Sequence, residues 1–222
     1  MTYAVIKDNH ITLAGNRYFV GNADAVLIGS IGKKATPLIG QNKLEPQDHI
    51  PAPKLAGCIR VLPPISIDTS QTKKSDFTAA VSGSLKVIGV SVSGGNIYDE
   101  LASNKLKLVE LLVEEGDMVK AVNSAPKVVD SLVSYGNDAR IAHRTLFVME
   151  AEMAQSFTAG GNVEASVDAA GIVSVTASAG ASSGKTTIVK LSPGTCLGYM
   201  LLNFSWNKGK TQIENPRVDE QG

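Results

Sequence analysis

The stretch Ala179 to Thr186, AGASSGKT, has the spacing of a loose phosphate-binding loop, with Ala where the first Gly belongs. In such a loop, backbone N–H groups at a helix start cradle phosphates and the Lys reaches the outer ones. That chemistry needs a strand before the loop and a helix behind it. Here the β-branched residues Thr186, Thr187, Ile188 and Val189 follow, and Pro193 arrives seven residues after Thr186. A helix does not fit that interval. No strand ending in a magnesium-binding Asp accompanies the loop, so nucleotide binding is not expected. His10, His49 and His143 share no spacing with one another or with Cys58 and Cys196. The two distant cysteines read as buried thiols rather than a disulfide or a metal pair. Glu150 and Glu152 read as charges on one strand face, and Met149 and Met153 as core. No nucleophile stands beside a base. The chain is therefore not read as an enzyme, and no cofactor or metal is expected.

Composition narrows the field further. The 222 residues carry 21 Lys plus Arg and 21 Asp plus Glu, a formal net charge of zero. No overall basic field gathers nucleic acid. Hydrophobic residues make up 43%, enough for an ordinary globular core, while aromatics make up only 5%. The N-terminus, MTYAVIKDNH, lacks the apolar core of a signal peptide, and no run approaches the ~20 apolar residues of a membrane helix. The sequence predicts a chain made as a cytoplasmic protein.

The elements that would position any site are mostly strands. Short apolar runs at 3–6, 11–13, 17–20 and 25–28, separated by Asp8-Asn9, Gly15-Asn16 and Gly21-Asn22, predict a meander over 1–31. Residues 32–57 hold four prolines and little periodicity and read as a long loop. Lys33, Lys34 and Lys43 make that loop locally basic. It is either simply solvated or a contact for lipid headgroups. A strand at 58–62 stops at Pro63-Pro64 and resumes at 65–67, and 71–76 is polar. After a turn or helix at 97–103, the alternation Leu106/Leu108 against Val109/Leu111/Val113 predicts a strand over 105–114. A helix follows: Asp117 can cap a turn through 118–123, and Ser124-Ala125-Pro126 restarts it, with Val128, Val129, Leu132 and Val133 as its stripe and Gly136-Asn137 as its end. Residues 140–158 read as a long central strand. Ile141, Phe147, Met149 and Met153 lie on one face and Leu146 and Val148 on the other. Residues 197–206 form a final core strand, and the polar 207–222 a mobile tail.

Two stretches of small residues stand apart. Over 157–191, Val163, Ala165 and Val167 alternate with polar residues, as do Val173, Val175, Ala177 and Ala179. Period two marks strands with one apolar and one polar face. Ala169-Ala170-Gly171 is the turn between the arms of a β-hairpin. The apolar side chains are Val and Ala, so burial anchors it weakly. The hairpin either lies on an antiparallel sheet or is parked there and later enters a bilayer, whose β-strands are ~10-residue alternating segments. Over 77–94, Phe77, Ala79, Val81, Leu85 and Val87 give a similar pattern, which shifts phase at Gly89 to Ile88, Val90 and Val92, as at a bulge.

From about residue 77 onward, the order of elements resembles the pore-forming N-terminal domain of the gasdermin family. Three stretches carry the resemblance: the small-residue region ending SVSGG at 91–95, the helix ending SYGND at 134–138 with the strand RIAHRTLFVMEAEMAQSF at 140–157, and the hairpin exit KTTIVKLSPGTCLGYML at 185–201. Pro193, Gly194, Thr195, Leu197 and Tyr199 sit close to the family's exit pattern, with Gly198 where Ala is usual. Residues 1–60 depart from the family, which usually opens with a basic amphipathic helix, and the large inhibitory domain of some members has no counterpart after Trp206.

The sequence thus predicts an α+β domain over 1–206, a twisted and mainly antiparallel sheet with one or two helices, followed by a polar tail over 207–222. The resemblance implies a non-enzymatic, cytoplasmic protein that binds membrane lipids once activated, forms homo-oligomers or pairs with a variant of itself, and does not bind nucleic acid. It implies membrane insertion of Phe77, Ala79, Val81, Leu85 and Val87, and of Val163, Val167, Val173, Val175 and Ala177. A structural or partner-binding β-rich protein, such as an assembly subunit, is the alternative expectation.

Overall fold

The structure is a computed structural model and describes residues 2–38, 40–81, 85–89, 96–158, 160–167, 173–179 and 186–219. The chain opens with β1 (Tyr3–Ile6), β2 (His10–Leu13) and β3 (Asn16–Phe19), paired antiparallel in the expected meander. The two-residue turn between β2 and β3 places Ala14 at φ 50° and Gly15 at φ 87°. Positive φ at both positions is what such a turn demands. Next come β4 (Ser30–Ala35), β5 (Lys43–His49), α1 (Ala52–Leu55), β6 (Ile59–Val61), β7 (Ser66–Ile67), α2 (Lys74–Ala80) and α3 (Ile97–Ala102). β8 (Leu106–Val113), α4 (Glu115–Asn123), α5 (Pro126–Tyr135), β9 (Ala139–Glu150) and α6 (Ala151–Thr158) follow. The chain continues through β10 (Gly160–Val167), β11 (Val173–Ala179), β12 (Thr186–Leu191), β13 (Cys196–Trp206) and β14 (Ile213–Asp219).

Among the described residues, eleven strands form one sheet along the path β5-β4-β9-β13-β3-β2-β1-β7. β8 lies against β9 with β6 beyond it, and β14 lies against β13. Its strand pairings are antiparallel except β1 with β7. This is an α+β fold on a mainly antiparallel sheet, as the sequence predicts. β8 and β9 are covered on both faces, and that is why both read as two-sided apolar strands. On β9, Ile141, Phe147 and Met149 enter one core and Leu146 and Val148 the other. On β8, Val109, Leu111 and Val113 enter the first core and Leu106 and Leu108 the second. α4 and α5 close the first core through Met118, Val122, Val128, Val129 and Leu132. α2 and α3 close the second through Phe77, Ala80, Ile97 and Leu101. Each such large side chain contributes about 1.5–3 kcal/mol when fully buried, so these two strands contribute to both cores at once.

Several elements differ from the sequence expectation. The loop expected at 32–57 is the β4–β5 hairpin, anchored by Ile31, Leu44 and Ile50, each fully buried. Lys33, Lys34 and Pro46 interrupt its apolar pattern, and Pro46 is tolerated because β5 is an edge strand. At Gly32 the strands approach so closely that a Cβ would collide with the Glu45 carbonyl. Residues 25–28 form no strand: a 3-10 turn at Ala23–Ala25 precedes them. The strand expected from Phe77 is instead the end of α2, because Phe77, Ala80 and Val81 also satisfy helical spacing. The central strand ends at Glu150, and Glu152 and Met153 belong to α6, whose sequence AEMAQSFT is rich in helix formers. Ser124 does not cap α5. It closes α4, its hydroxyl donating to the Ala121 carbonyl at 2.9 Å.

The expected mobile tail is a strand. β14 pairs with β13, and Ile213 is 1% exposed. Asn123 of α4 donates to the Ile213 carbonyl (3.1 Å) and accepts the Ile213 N–H (2.9 Å). At the far end of β14, the Asp219 carboxylate accepts from Lys34 Nζ at 2.7 Å and Arg140 Nε at 2.5 Å. All three side chains are mostly buried, so water does little to screen the cluster. Removing the carboxylate strands two poorly solvated cations. Asp219→Ala is therefore expected to lower stability by about 2–4 kcal/mol, read as a lower denaturant midpoint. A loss below about 0.5 kcal/mol, the range of an ordinary surface change, would contradict this reading.

Candidate functional site

The hairpin expected at 157–191 is a separate sheet of three strands, in the order β10-β11-β12. Its register pairs Val163 with Ala177, Ala165 with Val175 and Val167 with Val173. β12 extends it, pairing Val175 with Val189 and Val173 with Leu191. The polar positions pair likewise: Glu164 with Thr176, Ser166 with Ser174, and Ser174 with Lys190. β10 and β11 thus keep one apolar and one polar row, whereas β12 sets Thr187 opposite Ala177 on the apolar row and Ile188 opposite Thr176 on the polar one; among the described residues no ladder joins this sheet to the large one. It is held by packing. Val175, Val189 and Leu191 are buried at 0–1% exposure and join Ala154 and Phe157 of α6 in the first core. Ile188, on the opposite row, is 57% exposed. The third strand was not expected from the sequence, because Thr186 to Leu191 reads as a connection into the Ser192–Thr195 turn. The expected turn at 169–171 lies outside the described residues.

The other residues implicated by the sequence are scattered. Phe77 is buried against Tyr98, their ring centroids 5.8 Å apart. Ala79 is exposed, Val81 and Val87 are half-buried, and Leu85 is buried. Residues 82–84 and 90–95 lie outside the described part. Lys33 is exposed on β4. Lys34 is tied to Asp219 and lies 5.2 Å from the Phe19 ring centre, and Lys43 pairs with Glu45 at 3.3 Å. The basic loop is thus a hairpin on which two of the three lysines have acidic partners.

The chemistry weighed from the sequence finds little footing. Residues 180–185 of the phosphate-loop candidate lie outside the described part, and a strand, not a helix, begins at Thr186. Cys58 and Cys196 are free thiols, and burial pushes Cys196 up to about 12. Among the described residues, no group of three or more His, Cys, Asp or Glu could hold a metal.

A second site was not anticipated. Glu110 of β8 is only 3% exposed. Its Oε1 accepts from the Tyr18 hydroxyl at 2.7 Å and from Arg144 Nη1 at 3.3 Å. Burial raises the Glu110 pKa, opposed by the Tyr18 hydrogen bond and the Arg144 charge. Burial, reinforced by Glu110, also raises that of Tyr18. The three side chains floor a cleft of about 470 Å³ walled by Leu13, Leu62, Pro63, Pro64 and Ile65. One signal was legible: Glu110 is a lone acid inside the apolar run LKLVELLV. On the opposite face of β9, His143 is fully buried, its Nδ1 3.4 Å from the Val113 carbonyl and its Nε2 without a partner among the described residues. Burial, with Arg144 beside it, lowers His143 to about 4.

No protein-family model, curated protein or solved structure matches the chain. No helix among the described residues is long and apolar enough to cross a membrane, which leaves open a crossing by strands.

Proposed function

We propose that the protein is a gasdermin-like pore former that oligomerises and inserts its small-residue sheet into a membrane. One observation carries the reading: β10, β11 and β12 form a sheet of their own, alternating along β10 and β11, that among the described residues shares no ladder with the body. Such a sheet can leave by giving up one packed face, without breaking a backbone hydrogen bond of the large sheet. An open sheet cannot enter lipid alone, since its edge N–H and C=O groups would go unpaired. Closing a ring of copies removes those edges. Insertion is thereby coupled to assembly, with exposed Lys33 as the proposed headgroup contact and Lys34 and Lys43 able to join it only after leaving Asp219 and Glu45. β10 and β11 have 8 and 7 residues, against ~9–11 for a membrane strand, so the arms would lengthen into their flanks on insertion. The 77–94 region would serve as a second inserting segment after α2 unwinds. In this reading the resting protein is cytoplasmic, and it needs neither cofactor nor catalysis.

The test is release of an entrapped dye from vesicles containing phosphatidylserine, with negative-stain imaging for rings. Leakage accompanied by rings is expected. Intact vesicles under every lipid composition and after limited proteolysis would overturn the reading and favour a structural or partner-binding role.

A further inference from the structure

We infer that the cleft over Tyr18, Glu110 and Arg144 binds a small neutral molecule presenting a carboxamide edge on a flat apolar body. The inference is independent of the membrane reading. The volume, about 470 Å³, falls within the range of small-molecule pockets. The walls are mostly apolar, with Thr2 and Asn16 as polar exceptions, and Pro63 and Pro64 make one of them rigid. The polar groups converge at the floor and define what the ligand must supply.

Arg144 is under-used. Its bond to Glu110 is long, at 3.3 Å, and a quarter of its side chain stays exposed, although its Nε, without a partner among the described residues, is buried out of a ligand's reach. The guanidinium has five N–H donors and spends one on Glu110, so a ligand oxygen that accepts from its exposed part is favoured. Glu110 has the complementary capacity. Tyr18 and Arg144 both address Oε1, and a carboxylate has further lone pairs for an added N–H donor. An acceptor beside a donor is the edge of a primary amide or a lactam: its carbonyl faces Arg144 and its N–H faces Glu110. Charge selects the same class. Glu110 and Arg144 cancel, so an anion would meet the carboxylate uncompensated and a cation would meet the guanidinium.

The experiment is a protein-observed NMR titration of the full chain with three flat isosteres: benzamide, benzoate and benzamidinium. Benzamide is expected to bind saturably in the millimolar range, moving resonances of the cleft. The two charged probes should bind about tenfold more weakly or worse, since each loses one bond to a charged group and gains a repulsion. Leu62→Trp, at a half-exposed wall position, should fill the cleft and abolish binding while leaving the melting temperature unchanged. Glu110→Gln leaves Arg144 as a net cation, and preference should swing from benzamide to benzoate. Absence of saturable benzamide shifts, equal binding of all three probes, or binding that survives Leu62→Trp would each overturn the inference.

Discussion

Val175→Asp is expected to release the small sheet from the body without melting the body. Val175 is fully buried, pairs with Ala165 and Val189, and packs in the first core with Phe157 of α6. An unpaired carboxylate there costs about 3–5 kcal/mol. This position is not the shallow, partly wet surface that a weakly anchored hairpin of Val and Ala would suggest. Among the described residues β10, β11 and β12 share no ladder with the large sheet, so the cheapest relief is to detach them as a unit. Local opening of this kind is a separate equilibrium from global unfolding. Two readouts separate the cases. Protease should cut between residues 158 and 191 in the variant. Trp206, the single tryptophan, lies on β13 and packs edge-on against Phe204 at 5.3 Å, so its fluorescence reports on the body, and its unfolding midpoint should hold. Ile188→Asp, on the exposed row, should do neither. If the Trp206 transition falls together with protease resistance, the small sheet is integral to the core.

Acidification should cost the wild type stability that a His143→Gln variant does not lose. In the unfolded chain, His143 takes up a proton below its ordinary 6.5. In the fold, burial and the neighbouring Arg144 hold it neutral down to about 4. Between those values the unfolded state binds more protons, so stability is whole above pH 6.5, falls as pH drops through the window, and levels off near 4. At 1.36 kcal/mol per pH unit the full loss is about 3 kcal/mol. Carboxylates titrate over the same range in both proteins, Glu110 with the opposite sign because its folded pKa is raised. The wild type minus variant difference isolates the histidine. Parallel pH profiles would mean that His143 is already protonated in the fold or is reached by water.

What the sequence revealed follows from which interactions are local. The two faces of β8 and β9 were legible residue by residue, because strand periodicity is a property of neighbours along the chain. The same holds for α5, with Pro126 at its start and Gly136 at its end. Phe77 was not legible, since Phe77, Ala79, Val81 and Phe77, Ala80, Val81 serve a strand and a helix equally. β14 was hidden because its lone large aliphatic anchor, Ile213, gains its hold from Asn123, 90 residues away. The cleft was hidden for the same reason. Glu110 marked itself as an acid among apolar residues, but Tyr18 lies 92 residues away and Arg144 34, and only the sheet order brings them together. The small sheet was half legible: alternation within each arm is local, whereas capture of Thr186 to Leu191 as a third strand depends on register.

If the small sheet enters lipid with one face outward, as proposed, site-by-site quenching reads that directly. In a Cys58→Ser, Cys196→Ala background, single cysteines replace Val163, Val173 and Ala177 on one row and Glu164, Ser174 and Thr176 on the other. Each carries a fluorophore, and the vesicles contain phosphatidylserine and a nitroxide-labelled lipid. Quenching is expected at 163, 173 and 177 and little at 164, 174 and 176, the period-two pattern of a strand with lipid on one side. Quenching at none of these positions, or at all of them without regard to alternation, would contradict the proposal.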